Sequence, residues 1–104
     1  NFATLAGTET LTNKVIVRKL STKTANYILT NTDNLVRFDG ANLTATLPDA
    51  TTLSGYEFEI KNVNATNLTI NTTSSQLIDA NLTVTLTQYE VLKIVSNGTN
   101  WDVI

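Results

Sequence analysis

Apolar side chains recur at every second position in several short stretches of this chain, and this period limits the possible folds more than any other feature. The clearest stretch, residues 56–61, reads YEFEIK, so apolar and charged side chains point to opposite faces. Residues 43–47 (LTATL) and 82–86 (LTVTL) repeat the alternation with Thr, whose β-branch suits a pleated strand. The period predicts strands with one buried and one exposed face.

The rest of the chain supports an all-β fold. Thr and Asn together fill 33 of the 104 positions, whereas amphipathic helices favour Ala, Leu, Glu and Lys. Nine candidate strands span residues 14–20, 26–30, 35–39, 43–47, 56–61, 67–71, 82–86, 89–96 and 101–104. Turn signals at Asp39-Gly40, Ser54-Gly55 and Asn97-Gly98 separate some of them. We expect one antiparallel two-sheet sandwich or jelly-roll-like domain over residues 14–104, and the lack of crossover helices argues against a parallel α/β sheet.

The alternation also predicts which side chains form the core. The expected core residues are Ala45, Leu47, Tyr56, Phe58, Ile60, Leu68, Ile70, Leu82, Val84, Leu86 and Trp101.

Composition narrows the function. The chain has no His and no Cys, which removes the usual general base, thiol nucleophile and zinc ligands. Its net charge of -2 gives no basic surface for nucleic acid. No apolar run approaches the ~20 residues that span a bilayer. We therefore expect no enzyme activity, no cofactor, no nucleic-acid partner and no membrane insertion.

Two segments depart from the simple pattern. Val91, Leu92, Ile94 and Val95 place apolar groups on both faces of one strand, which either a subunit interface or a loop could cover. Residues 1–13 show no stable period and read as a connector or trimerising segment, with Phe2 to Leu11 a second candidate for the interface. We expect a homotrimer, because a small domain without disulfides gains from association.

Several short motifs resemble those of phage tail fibre and receptor-binding proteins. Residues 8–14 (TETLTNK) resemble the TLTNK box that precedes distal fibre domains. Residues 27–30 (YILT) with Asp33 are similar to a Y-x-L-T…D strand pair, residues 46–48 to TLP, and residues 55–62 to G-x-x-x-x-I-K-N. Ile78-Asp79 and residues 92–101 resemble an ID…LVSDGTNW ending, with Asn97 where Asp is more usual.

The resemblance covers nearly the whole chain. It implies a trimeric β-domain of the virion tail that acts extracellularly at the host surface, with the rest of a tail fibre preceding Asn1. On that basis we expect non-catalytic attachment to a host glycan or surface protein. Two alternatives remain: a structural trimerisation segment of the fibre, and a bacterial surface adhesin in which Lys14, Lys61 or Lys93 could form an isopeptide crosslink.

Three residue patterns could carry other chemistry. Glu57 and Glu59 lie about 7 Å apart on one strand face, which is near the spacing of the two carboxylates of a glycosidase. Alternating charges of this kind are, however, typical of a solvated strand face. Asx-rich turns at residues 31–34 and 39–42 could supply calcium ligands, yet local backbone hydrogen bonds explain them and we expect no metal. Trp101 between Asn100 and Asp102 could stack on a sugar, although packing in the core is the favoured interpretation.

The polar loops at residues 62–67 and 72–76 are the candidate contact surface, because they carry short hydrogen-bonding side chains at predicted loop tips. The predicted receptor-binding residues are Asn64, Asn67, Ser75 and Gln76.

Overall fold

A computed structural model describes residues 19–104 of the chain. Nine strands follow one another in this part, with a single 3₁₀ turn over Ala50–Thr52. The strands are β1 Leu20–Lys23, β2 Tyr27–Ile28, β3 Leu35–Phe38, β4 Thr44–Thr46, β5 Glu57–Asn62, β6 Leu68–Asn71, β7 Val84–Leu86, β8 Val91–Ser96 and β9 Trp101–Val103.

The strands form two mixed sheets, compatible with an all-β sandwich. One sheet has the order β1-β3-β5-β8-β9 and the other the order β2-β4-β6-β7. From β1 to β6 the chain alternates between the sheets, so each strand pairs in parallel with the strand two places along. This part is therefore a two-layered β-solenoid, in which successive coils stack on one another.

The prediction of antiparallel pairing is wrong for the four pairs formed among β1 to β6, which are all parallel. A parallel pair needs a crossover, but the crossover need not be a helix. Here a strand of the opposite sheet with its two flanking loops makes each crossover. Antiparallel pairing is confined to β7, β8 and β9, which close the last coil by pairing with β6, β5 and β8 respectively.

The core lies between the sheets and is made by the alternating side chains. Eight of the expected core residues are buried, and Tyr56 and Val84 pack against the core while partly exposed. The prediction that Leu82 lies in the core is wrong, because 55% of its surface is exposed. Asp79 adopts a φ of 53°, Ile78 pairs with Asn81, and β7 begins only at Val84, so the chain bends before the alternation takes effect. The core residues not predicted are Leu29, Val36, Phe38, Leu43, Ala50, Ile78, Leu92 and Ile94.

Most predicted strands lie within two or three residues of the observed ones, but the first differs. It was expected over residues 14–20, whereas β1 is Leu20–Lys23. Residues 14–18 and the expected connector, residues 1–13, lie outside the described part, and with them the Phe2 to Leu11 interface candidate.

Strand β8 is apolar on both faces, as its sequence indicates. Leu92 and Ile94 are buried between the sheets, while Val91 faces outward and is 52% exposed. Because about half of the Val91 side chain stays exposed, no loop within residues 19–104 covers it, as the loop alternative would require.

Candidate functional site

The alternation between sheets gathers the loops at two opposite edges of the molecule. We define the first loop edge as residues 24–26, 39–43, 63–67 and 87–90. The second loop edge comprises residues 29–34, 47–56, 72–83 and 97–100. Loops from successive coils therefore become neighbours in space although they are distant in sequence.

The four predicted receptor-binding residues do not form one cluster. Asn64 and Asn67 precede β6 and lie on the first loop edge, whereas Ser75 and Gln76 follow β6 and lie on the second. A strand of this length separates the edges by roughly 13 Å, at about 3.3 Å per residue. The two pairs cannot contact one small ligand together.

Two of these residues bond mainly within the protein. The Asn64 Oδ1 accepts hydrogen bonds from the Thr66 backbone N–H and hydroxyl, and its Nδ2 donates to Asp39. Gln76 is buried, with its Oε1 accepting from the Ala50 N–H at 2.9 Å and its Nε2 donating to Asp49 at 2.7 Å. Gln76 is therefore an internal anchor of the 3₁₀ turn, and little of its side chain is exposed.

The Gln76 contact also acts on a carboxyl group. Its Nε2 hydrogen bond, followed by hydrogen bonds from Thr51, lowers the pKa of Asp49 below its ordinary value. A lowered pKa means that the ionised carboxylate is the form that the folded chain favours. This contribution to stability is present above the unfolded pKa and is lost as pH falls through the folded one.

The other two residues are exposed. The side chains of Asn67 and Ser75 face solvent, and Ser75 lies in an unusual turn. The Gln76 N–H donates to the Thr73 carbonyl at 3.1 Å, and the two central residues, Ser74 and Ser75, both have a φ of 57°. This is the type I′ geometry that Asn-Gly normally occupies, because residues with a Cβ are strained there.

Ser75→Gly is expected to stabilise the fold by about 1 kcal/mol, because Gly adopts positive φ without the steric cost of a Cβ. Urea denaturation followed by far-ultraviolet circular dichroism measures this. Ser54→Gly is the control, since this exposed serine does not have a positive φ, and it should not stabilise. A loss of stability in Ser75→Gly would contradict the strained-turn interpretation.

The Y-x-L-T…D motif has a structural role at the second loop edge. Asp33 is buried, and its Oδ2 accepts hydrogen bonds from the Tyr27 hydroxyl at 2.8 Å and the Thr30 N–H at 2.9 Å. The Tyr56 hydroxyl donates to the carbonyls of Asn31 and Asp33. Two tyrosines thus hold the loop over residues 31–34. Asp33 belongs to the Asx-rich turn that was considered for calcium, and its carboxylate accepts hydrogen bonds from within the chain.

The contact with Asp33 predicts that the Tyr27 hydroxyl ionises at a higher pH than an ordinary tyrosine. The hydrogen bond to Asp33, then burial, then the negative charge of Asp33 raise the pKa of Tyr27 above 10.0. A raised pKa means that this contribution to stability is complete below the unfolded pKa and is lost as pH rises through the folded one.

Asp33→Asn should move the pKa of Tyr27 back towards its ordinary value and reduce the alkaline loss of stability, because a neutral amide oxygen accepts a weaker hydrogen bond than a carboxylate and the negative charge is removed. Tyrosinate absorbance measured between pH 9 and 12 tests this. Asp39→Asn is the control, since Asp39 is exposed and bonds to Asn64 instead. An unchanged titration in Asp33→Asn would exclude the assigned cause.

The C-terminal motif builds another turn on the same edge. The Ser96 hydroxyl donates to the Ala50 carbonyl at 2.6 Å, and the Asn97 Oδ1 accepts from the N–H groups of Thr99 and Asn100. Asn97 also donates to Asp102 at 3.0 Å, a hydrogen bond that an ionised Asp at this position could not donate. Trp101 is fully buried against Phe58, with ring centroids 5.5 Å apart. The packing interpretation of this tryptophan is confirmed, and it offers no exposed face to a sugar.

A groove of about 580 Å³ lies on the outer face of the five-stranded sheet. Apolar and charged side chains line it together: Leu20, Leu35, Val63, Tyr89, Val91, Arg37, Lys61, Asp39 and Glu59. The Lys61 ammonium lies 5.9 Å from the ring centroid of Tyr89. Glu57 and Glu59 share this outer face, and Lys61 and Lys93 also belong to it.

The part of the chain that the structure describes, residues 19–104, holds no group of three or more His, Cys, Asp or Glu side chains placed to bind a metal ion. No helix within it has the length and apolar character needed to cross a bilayer.

Comparison of the chain with protein-family models, with curated proteins and with solved structures gave no match.

Proposed function

We propose that this chain is a non-catalytic attachment domain of a phage tail fibre. It works as a homotrimer on the virion tail, outside the cell, and holds a polar loop surface against a host glycan or surface protein. Two observations support the proposal: the sequence carries motifs that resemble those of tail fibres, and residues of these motifs hold turns or the core in the structure. Asp33, Ser96, Asn97 and Trp101 all serve to hold turns or the core. Such a rigid frame leaves the exposed loop residues available for binding.

Within this proposal, contact is made by the connection between β6 and β7, residues 72–83. The observation that carries this choice is that three residues of this connection, Ser74, Ser75 and Asp79, have positive φ, whereas the whole first loop edge has two such non-glycine residues, Asn42 and Tyr89. Strained non-glycine residues persist where the surroundings hold them, and they cluster at binding sites. Ser75 and the 55% exposed Leu82 present polar and apolar groups on the same connection.

Labelled protein is expected to decorate susceptible bacteria and to compete with the phage that carries this fibre. Ser75→Gly removes the hydroxyl that we place in contact, so it should weaken decoration about tenfold across three linked copies. Because the same substitution is expected to stabilise the fold, weaker binding could not be attributed to unfolding.

Asn67→Ala is the matched variant on the first loop edge. Unchanged decoration by Asn67→Ala with weaker decoration by Ser75→Gly would support the second edge. The reverse result would move contact to the first edge. If the folded protein decorates no susceptible host while the fibre still assembles, the chain is a structural segment and the attachment proposal is wrong.

A further inference from the structure

The two sheets present chemically different outer faces. In the four-stranded sheet, all outward positions but Ile28 on the edge strand β2 carry short uncharged polar groups: Thr44, Thr46, Thr69, Asn71 and Thr85. Hydroxyl and amide groups of this kind are well solvated. Most of that face therefore needs no partner.

The outer face of the five-stranded sheet combines apolar with charged side chains. The apolar group comprises Leu20, Leu35, Val91, Val95 and Ile104. Between them lie three bases and three acids: Arg37, Lys61, Lys93, Glu57, Glu59 and Asp102. The cores of subunit interfaces are more apolar than the remaining surface and are enriched in Tyr and Arg, and here Tyr89 is 64% exposed beside the groove. Because its charges balance, this face is suited to another copy of itself.

The apolar groups lie at the two sides of this face. On one side Leu20, which is 53% exposed, borders the groove. On the other side, Ile104 follows β9, bonds to the Lys93 carbonyl and is 56% exposed. Pairing runs from Leu20 through Leu35, Glu59 and Lys93 to Ile104, so the two sides are four strand spacings apart. At about 4.8 Å per spacing this is roughly 19 Å.

We propose that copies of this chain associate head to tail through this face, with Ile104 of one copy seated in the groove beside Leu20 of the next. An exposed apolar side chain and a partly apolar groove on opposite sides of one face form a heterologous pair, which closes into a ring when the rotation permits. The inference rests on the proposed trimer and adds the surface that forms it.

The absence of cysteine from the sequence makes a crosslinking test specific. In the full chain carrying Leu20→Cys and Ile104→Cys, the two thiols are too far apart to bond within one copy, since a disulfide needs Cα atoms within about 7 Å. Mild oxidation should therefore give covalent oligomers, with a closed trimer as the main product on a non-reducing gel. Each single variant should stay monomeric on the same gel. Failure of the double variant to crosslink, or equal crosslinking by a single variant, would overturn the head-to-tail arrangement.

A second pair of variants tests the face independently of disulfide geometry. Val91→Lys places a charge on the proposed interface, and Ile28→Lys places the same charge on the four-stranded sheet, where Ile28 is 62% exposed. In sedimentation equilibrium at micromolar concentration, Val91→Lys should lose the trimer while Ile28→Lys keeps it, with circular dichroism showing that both are folded.

Loss of assembly in Ile28→Lys alone would assign the interface to the other sheet, in which case the trimer stands and this inference fails. A monomeric wild-type protein would refute both the inference and the trimer. Host attachment is measured separately by cell decoration, so its failure can be told apart from either result.

Discussion

Trp101→Ala is expected to lower the free energy of unfolding by about 4 kcal/mol, the cost typical of deleting a large buried aromatic side chain. Trp101 has no exposed surface and packs against Phe58 at the inner face of β9. A domain of this size has a total stability of about 5–15 kcal/mol, so the loss would bring the chain close to unfolding. Urea denaturation monitored by circular dichroism measures it without relying on the lost fluorophore.

Trp101→Phe distinguishes packing from hydrogen bonding. The buried Nε1–H of Trp101 has no hydrogen-bond partner in the described part of the chain. Removing it therefore breaks no bond, and Trp101→Phe should cost only about 1–2 kcal/mol for the smaller ring. Leu82→Ala is the control for an exposed position and should change stability by less than about 0.5 kcal/mol. Similar losses in the Phe and Ala variants would mean that the indole N–H, not the ring volume, determines stability here.

Local structure could be predicted from the sequence because strand formation depends on neighbouring side chains. The alternation in residues 56–61 places Phe58 and Ile60 in the core, as observed. Where a backbone turn intervenes, the same rule fails. Leu82 has the right spacing from Val84, but the bend at Asp79 and the late start of β7 leave it exposed.

The direction of pairing could not be predicted by the same reasoning. A solenoid is normally recognised by a fixed repeat in the sequence. Here the step from Leu20 to its partner Leu35 is much shorter than the step from Leu35 to its partner Glu59, so the coils leave no regular period. Short alternating strands look the same whether they return in an antiparallel hairpin or pass through an opposite sheet.

The candidate contact residues show the same limit. Asn64, Asn67, Ser75 and Gln76 were chosen as polar loop residues, a property that sequence does reveal. Burial of Gln76 depends on Asp49 and Ala50, which are 27 and 26 residues away, and sequence proximity gives no sign of that contact. The positive φ of Ser74 and Ser75 is equally hidden, since neither is the glycine that usually marks such a turn.

One buried polar residue, Asn62, could have been found from the pattern. It continues the inward series of Phe58 and Ile60 on β5, which places an amide at the end of an apolar stripe. The structure shows its use: its Nδ2 donates to the carbonyls of Thr66 and Leu86 at 2.8 and 2.9 Å. Its Oδ1 accepts from the Asn64 N–H at 2.9 Å. The amide thus joins three segments at the first loop edge.

Asn62→Asp is expected to cost about 4 kcal/mol at pH 7, because a carboxylate would be buried facing two carbonyl oxygens with both donors lost. The environment should raise the pKa of the new carboxyl above its unfolded value of about 4. The folded chain then favours the protonated form, so the penalty should be smallest below pH 4, grow as pH rises, and level off above the folded pKa. Urea denaturation at intervals from pH 3.5 to 8 measures this curve.

Asn67→Asp provides the matched control, since it makes the same charge change at an exposed side chain of the loop that follows Asn62. It should shift stability by less than about 0.5 kcal/mol and show little dependence on pH beyond that of the wild type. Subtracting its curve from that of Asn62→Asp isolates the buried site from the change in net charge. A flat difference would mean that the carboxylate of Asn62→Asp reaches solvent, and that the first loop edge is less tightly joined than the three hydrogen bonds of Asn62 imply.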